Sequence, residues 1–434
     1  MQQDSNHSTS FSRRNFLKAS ASLSAAAVAA TASLNCAHLA HAAASDKIRV
    51  GLVGCGGRGR GAAVDAVNSS KNVQLVALGD LFQDQLDAAK TFFDTQPKEK
   101  YDVKQDKCFV GWDACQKVLA SDIDYVILAT PPAFRPMMIE AAIKAGKHVF
   151  AEKPVAVDPA GVRLVLAAAA QAEQKGLGIV VGTQRRHDPA YVESLKRIHD
   201  GAIGKILAGQ VYWTQGGARV VERKPGWSDL EYQCRNWWYF TWLAGDFIVE
   251  QHMHQHDVAN WVIGERPKLC IAVGGRQVRT DPAYGHIYDH FSVDYEYPSG
   301  ARVTSVCRQI DGCYGRVGEN FIGAKGSAIP QSRIFDETGK IAWKYESEEE
   351  INPYEQEHRD LIASIRAGKP FNEGKRAAES TLTAIMGRIA AYTGQAVKWT
   401  DALNSKLDLM PRKLEFGPFP TPPVAIPGKD PWPV

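Results

Sequence analysis

Hydrophobic positions along the chain fall into two textures. From Lys47 to Gly182, short apolar runs alternate with longer helical patterns. Lys47–Val53 alternates and stops at a cluster of glycines; a helical apolar stretch occupies Gly61–Ala66, and Val73–Leu78 again reads as a strand. Further strands are predicted at Asp124–Ala129, His148–Ala151 and Gly178–Gly182, with helices over 136–145 and 160–174. Strands alternating with helices pack as a doubly wound parallel sheet, the α/β pattern. Beyond about residue 200 the strand-like runs follow one another: Lys205–Trp213, Lys268–Val273, Asp289–Tyr297, Arg302–Gln309 and Glu319–Gly323. Tyr297-Pro-Ser-Gly300 supplies a hairpin turn between two of them. The second half is therefore expected to be an α+β domain with an open, largely antiparallel sheet, followed by helix over Asn352–Tyr392. The last 18 residues hold seven prolines, which predicts an extended arm laid over a neighbouring subunit or over the chain's own cleft. The resulting division is 1–42, 46–182, 183–400 and a Pro-rich tail over 401–434.

The first 42 residues have a different character. Ser12-Arg13-Arg14-Asn15-Phe16-Leu17-Lys18 precedes a weakly apolar Ala/Ser run from Ala19 to Ser33, and Ala40-His41-Ala42 offers a small-x-small cleavage site. That order is a twin-arginine export signal, which predicts a periplasmic or exported protein. This route carries folded proteins, commonly with a cofactor already in place. The eight cysteines include no CxxC pair, and seven of them lie beyond the leader, so they read as reduced core residues and not as a disulfide framework.

Composition narrows the classes. The chain has 434 residues, 44% of them hydrophobic and 23% charged, enough for two globular domains. The formal net charge of +3 includes +2 from the leader, so nothing marks a nucleic-acid partner. No apolar stretch approaches the roughly 20 residues that span a bilayer.

Strand one runs into Gly54-Cys-Gly56-Gly57-Arg58-Gly59, and the second strand ends at Asp80. Strand, GxGxxG, helix, strand and acid in that order form a Rossmann dinucleotide site. Gly54 permits the turn, Gly56 lets backbone approach the pyrophosphate, Gly59 lets helix and strand pack, and the helix N-terminus meets the phosphates. Asp80 would accept the adenosine ribose hydroxyls and repel a 2′-phosphate, favouring NAD over NADP.

Two clusters carry candidate chemistry. Glu152-Lys153-Pro154 directly follows a buried parallel strand, where ligands bind, so Lys153 is expected to face the cleft and donate to a substrate hydroxyl. The alternative for Lys153 is a surface lysine paired with Glu152. On a helix, Glu250, His254, Asp257 and Trp261 would form one stripe, with His254 as a base oriented by two carboxylates. Metal binding by His252 and His256 competes with this, but the spacing lacks an HExxH pattern and three alternate histidines cannot converge on one ion. A structural role is the alternative for His254 and the stronger reading for His252 and His256. Arg235-Asn-Trp237-Trp238 begins an aromatic cluster that is either core or a sugar-stacking face.

Together these motifs resemble the Gfo/Idh/MocA family (glucose–fructose oxidoreductase, inositol dehydrogenase). The resemblance rests on Gly54-x-Gly56-x-x-Gly59, Asp80, Ala129-Thr130-Pro131-Pro132, Glu152-Lys153-Pro154, Gly182-Thr-Gln-Arg-Arg186 and Glu250/His254/Asp257, over roughly residues 46–400. It implies an NAD(P)-dependent oxidoreductase of a sugar or polyol hydroxyl, with homodimers or homotetramers formed through the second domain. By that resemblance Lys153, Glu250 and His254 are catalytic, with Asp257 supporting. Thr130, Pro131, Glu152 and Gln184 join the glycine loop, Arg58 and Asp80 at the cofactor. Arg186, Arg235, Trp237, Trp238 and His252 become substrate candidates. Three departures stand out: Glu250 where the family commonly has Asp, His252 where it has Gly, and Ala133-Phe134-Arg135 where a His follows the two prolines. An NAD-dependent glycoside hydrolase and a non-catalytic binding protein are the competing functions.

Overall fold

A computed structural model describes residues 46–347 and 349–429; the expected export signal over 1–42 and the last five residues of the tail lie outside the described residues. Six strands form the first sheet: β1 (Ile48–Val53), β2 (Val73–Asp80), β3 (Cys108–Val110), β4 (Tyr125–Leu128), β5 (His148–Ala151) and β6 (Ile179–Val181). They are all parallel and lie in the order β3-β2-β1-β4-β5-β6. The order reverses at β1, so a crevice opens where the carboxyl ends of β1 and β4 diverge.

β1, β4 and β5 are almost wholly apolar because helices bury both faces. One face is closed by helix Gly57–Ser69 and, from far along the chain, by helix Pro353–Arg366, whose Leu361 and Ile362 join that core. Tyr125 Oη lies 2.5 Å from His358 Nδ1 at the same contact. The dinucleotide unit is thus completed by residues beyond 350.

The second sheet has nine strands: β7 (Ile206–Gln215), β8 (Leu269–Gly275), β9 (His290–Glu296), β10 (Arg302–Gln309), β11 (Arg316–Gly323), β12 (Gly326–Ile329), β13 (Arg333–Asp336), β14 (Ile341–Lys344) and β15 (Val397–Lys398). Their order is β14-β13-β12-β11-β7-β10-β9-β8-β15. Only β7–β10 pair in parallel; the other neighbours are antiparallel. The expected hairpin at Tyr297–Gly300 is present, closed by Tyr297 N–H to Ala301 O at 3.0 Å, with Gly300 at φ +90°. Helices Met253–Ile263 and Gly374–Thr393 cover the inner face of this sheet.

Three expectations need correction. The helix over Asn352–Tyr392 is two helices, because Ala367–Glu373 leaves the helical path at Gly368 (φ +66°) and pairs backbone with Ile179. Glu250 and His254 do not share one helix: Asp246 caps a single turn, Phe247–Glu250, and the chain re-enters helix at Met253. Cys313 is exposed and Cys108 half-buried, whereas the other five described cysteines are core.

The tail leaves helix Trp399–Asn404 and runs over the chain's own surface. Leu409 N–H donates to Asp158 at 2.8 Å, Leu230 N–H to Gly417 O at 3.2 Å, and Gln233 Nε2 to Phe419 O at 2.7 Å. Proline-rich backbone has few donors to satisfy, so it can lie extended with anchors spaced this widely.

Candidate active site

The glycine loop has the shape the motif requires. Gly54 sits at φ +95°, and a Cβ there would stand 2.6 Å from the Ala129 carbonyl carbon. One at Gly59 would stand 1.8 Å from Gly54 O. Gly56 and Gly57 are different: a Cβ on either meets no protein atom within 4 Å, which leaves the space a pyrophosphate needs. The helix that follows has no side-chain cap, so its first N–H groups remain for phosphate oxygens.

A cavity of about 1010 Å³ continues from this loop past Asp80, Trp112, Thr130 and Pro131. Asp80, at the end of β2, accepts the amides of Cys55 at 2.6 Å and Phe82 at 2.9 Å. Burial raises its pKa above the usual carboxylate value, and those amide bonds oppose the rise. The remaining lone pairs are left for the ribose hydroxyls of a dinucleotide, and a 2′-phosphate would meet a carboxylate. These residues fit NAD.

Residues from the tail and the second domain line or back this cavity. Phe416 of the tail stacks on Phe82, with centroids 5.9 Å apart and planes 6° apart, and lies 5.3 Å from Trp112. Leu414 and Trp237 belong to the lining itself. Arg235 lies 3.8 Å over the Phe82 ring and pairs with Asp84 at 3.1 Å and Glu231 at 3.0 Å. Arg235 and Trp237 thus line the Asp80 end of the cleft. The helix Asp229–Arg235 ends there and aims its last residue at Asp84. Trp238 stacks on Trp237 at 4.9 Å.

The second centre lies at the ends of β5 and β6, beyond the lining of that cavity. Lys153 Nζ donates to Glu250 Oε1 at 2.9 Å and to the Glu250 carbonyl at 2.5 Å. An ammonium has three N–H donors, so one remains. Glu152 turns the other way, accepting Arg58 Nε at 2.5 Å over Gly182, where a Cβ would stand 2.7 Å from the carboxylate. Lys153 is therefore not paired with its neighbour Glu152. Arg58 also reaches Asp65 at 3.2 Å, and its guanidinium lies over Tyr354 at 5.0 Å. Gln184 Nε2 donates to Tyr354 Oη at 3.1 Å.

His254 is 7% exposed, its ring stacked on Trp213 with centroids 5.8 Å apart. Burial, reinforced by the charges of Lys153 and Arg185, holds its pKa well below the usual histidine value. The imidazole is therefore neutral. Neither carboxylate of the expected stripe orients it. Asp257 accepts Arg186 Nε at 2.8 Å, Arg376 Nη1 at 2.8 Å and Ser380 Oγ at 2.7 Å, and Glu250 is taken by Lys153. Burial would raise the Asp257 pKa, but the two arginines hold it far below the carboxylate range.

Arg186 commits Nε and Nη2 to Asp257 and lies 4.2 Å from the Trp261 ring. His252 is fully buried, and Ser305 Oγ lies 2.7 Å from its Nε2 and 2.9 Å from that of His256. Both are core histidines, which corrects the placement of His252 among substrate residues.

Two residues escaped the sequence reading. Trp213 carried a strand signal only. Arg135, noted as a departure, is buried and donates Nη1 to Pro154 O at 2.7 Å and Nη2 to Thr130 O at 2.5 Å. It ties the loops after β4 and β5 together, so the two halves of the site keep one spacing.

Comparison with known proteins agrees with this architecture. Residues 48–180 match a family model described as an oxidoreductase family with an NAD-binding Rossmann fold, and residues 191–329 match the GFO/IDH/MocA C-terminal domain. Together they cover more than half the sequence, and the chain belongs to the Gfo/Idh/MocA oxidoreductase family. An inositol 2-dehydrogenase of Rhizobium meliloti (strain 1021) is 28% identical over 255 residues, 58% of this chain and 66% of the relative. The scyllo-inositol 2-dehydrogenase (NAD(+)) of Bacillus subtilis (strain 168) is 25% identical over 260 residues, 59% of this chain and 65% of the relative. The chain thus spans about two thirds of these relatives. The crystal structure of an aldose-aldose oxidoreductase from Caulobacter crescentus has the same fold, with a TM-score of 0.64 at 21% identity, covering 81% of this chain and 99% of that one.

Proposed function

We propose that this protein is an NAD-dependent dehydrogenase of a sugar or polyol hydroxyl, exported by the twin-arginine route with its dinucleotide held in place. The observation that carries the activity is Lys153 at the carboxyl end of β5, anchored by Glu250, with the buried neutral His254 near enough for the lysine's charge to lower its pKa. His254 takes the substrate's hydroxyl proton. Lys153, fixed by two hydrogen bonds to Glu250, gives its third N–H to the same oxygen and stabilises the negative charge that develops there. Trp213 fixes the plane of the imidazole, and Asp257 holds Arg186 and Arg376 rather than the histidine. NAD, when bound, supplies the hydride acceptor.

Retention of the cofactor is supported by the tail, whose Leu414 lines the Asp80 end of the cleft and whose Phe416 packs on the lining residues Phe82 and Trp112, so that opening this end requires the tail to lift. Export rests on Arg13-Arg14 and the Ala/Ser run. A homodimer or homotetramer is supported by the outer face of the second sheet, where Ile271, Val273 and Ile322 are 53%, 71% and 49% exposed. The activity is tested with His254→Ala: turnover of any accepted polyol should disappear while the bound dinucleotide remains. Unchanged turnover removes His254 from the reaction.

A further inference from the structure

Two domains meet at the Asp80 end of the cavity, and one cation sits where they meet. From the first domain, β2 ends at Asp80, and the chain turns through Leu81 and Phe82 to Asp84 in the first turn of helix Gln83–Asp94; all four residues line the cavity. From the second, helix Asp229–Arg235 delivers Arg235 to the same lining. The guanidinium carbon lies 3.8 Å from the centre of the Phe82 ring and 4.6 Å from that of Trp227. The Phe82 amide donates to Asp80 Oδ1 at 2.9 Å. The arginine therefore stands against the turn that carries the ribose-binding carboxylate.

The donors of Arg235 are committed to acids. Nε donates to Glu231 Oε1 at 3.0 Å, one turn back on the same helix, and Nη1 to the two oxygens of Asp84 at 3.1 and 3.2 Å. Burial would raise the Asp84 pKa, but hydrogen bonds from Gln85 and Arg235 outweigh it and hold the carboxyl below its usual value. The side chain of Arg235 is 17% exposed and that of Asp84 57%, so the cation lies inside the mouth and the acid on its rim. The helix is fixed as well. Ser228 caps it through the Glu231 amide at 3.2 Å, and the tail pins it, with Leu230 N–H on Gly417 O at 3.2 Å and Phe419 N–H on Asp229 at 3.1 Å.

In Rossmann sites that take NADP, an arginine near the end of the second strand accommodates the 2′-phosphate. This chain has an arginine in that place and surrounds it with carboxylates: Asp84 and Glu231 bind it directly, and Asp80 lies across the Phe82 turn. A 2′-phosphate entering there meets three acids and a guanidinium already in use.

We infer that Asp84 is a second determinant of the preference for NAD over NADP: by holding Nη1 of Arg235 it withholds from a 2′-phosphate the cation placed to receive it. Asp80 repels that phosphate directly, and Asp84 removes the partner that could offset the repulsion. With Asp84 neutral, the Nη1–Nη2 end of the guanidinium is released while Nε stays on Glu231, and a phosphate can take two parallel N–H bonds from it. Water screens an acid on the rim, so the effect is that of one charge-assisted hydrogen bond and not of a buried ion pair. This role rests on the NAD site and on no step of the reaction at Lys153 and His254.

The full protein as purified is incubated with NAD and NADP at equal concentration until the bound ratio stops changing. Unbound nucleotide is then removed, the protein is denatured, and the released nucleotides are quantified by mass. Asp84→Asn should raise the ratio of bound NADP to NAD about tenfold, and Asp84→Ser should do the same. Asp84→Glu, which keeps the charge, should leave the ratio near its original value. Adding Arg235→Met to Asp84→Asn should cancel the gain. A pair that only joined the two domains would, when broken, weaken retention of both nucleotides alike, and an unchanged ratio in Asp84→Asn and Asp84→Ser would overturn the role given to Asp84. So would a gain that persists after Arg235→Met, which would assign the phosphate to Arg219 or Lys224, the other cations lining the cavity. An unaltered protein that binds neither nucleotide would overturn it together with the NAD site. The expected shifts in a protein that oxidises no sugar would uphold it and count only against the dehydrogenase reading.

Discussion

Removing one ring from the tail should loosen the cofactor. Phe416 is 42% exposed, so somewhat over half of its side chain is buried, chiefly against Phe82 and Trp112. With roughly 200 Å² on a phenylalanine, that is about 115 Å². At about 25 cal/mol per Å² the burial is worth close to 3 kcal/mol. An extended reference chain overstates the area, which brings the figure to about 2–3 kcal/mol. Phe416→Ala should shift the lifting of the tail by that amount, roughly 30- to 150-fold. If release of the dinucleotide waits on lifting, its rate rises by the same factor. The assay loads the protein with NAD, adds an excess of an enzyme that consumes free NAD, and follows the loss of bound nucleotide. Truncation after Ser405 should release it at least as fast. A change of less than twofold in both variants would refute the strap, because the nucleotide would then be leaving by another route.

Other consequences follow from the same geometry. Replacing His254 by Gln should cut turnover about 10²- to 10⁴-fold with nucleotide content unchanged, measured by single-turnover absorbance. Lys153→Met leaves Glu250 buried without its cation. It should destabilise the fold by about 3 kcal/mol in denaturant titration as well as abolish turnover. Gly59→Ala forces a Cβ to 1.8 Å from Gly54 O, so nucleotide binding by calorimetry should vanish even where folded protein is recovered. Stability should fall with acid. His148 and His286 are held to about 4 and His256 to about 3 by burial, so their contribution is full above the unfolded value of about 6.5 and is lost as pH falls towards those values. One such group at about 4 is worth about 3 kcal/mol by pH 4. His187 acts in the opposite direction: its carboxylate partners Asp360 and Glu373, outweighing burial, raise it to about 9. Its contribution is full below about 6.5 and lost as pH climbs through about 9. Thermal melts from pH 4 to 10 check both limbs, and a flat acid limb would contradict the buried neutral histidines.

Much of both sheets was legible because their signals are local. His148–Ala151 and Arg302–Gln309 run along the chain as predicted, and β1 meets its glycine loop where the alternation stops. Periodicity and glycine spacing report on residues that are neighbours in sequence. The centre was legible to the extent that Lys153 and His254 sit in local motifs, and no further. The partners of Asp257 come from residues 186, 376 and 380, which only folding assembles. The reading of Glu250, His254 and Asp257 as one stripe assumed an unbroken helix. The turn at Gln251–His252 interrupts it, and the two carboxylates go to Lys153 and to two arginines instead. Arg235 was read from its aromatic neighbours, but its place is decided by Asp84, 151 positions away. The proline-rich tail announced its conformation through composition, whereas its path over Phe82 and Trp112 depends on a surface no local pattern describes.

One measurement bears most directly on the central claim. The protein is purified without added cofactor and mixed with a panel of sugars, sugar acids and polyols while absorbance is read at 340 nm; a denatured portion is analysed by mass. The account expects NAD in the denatured portion and, for at least one substrate, a 340 nm rise that is absent in His254→Ala. A protein that releases no nucleotide and takes up neither NAD nor NADP when they are supplied would contradict it.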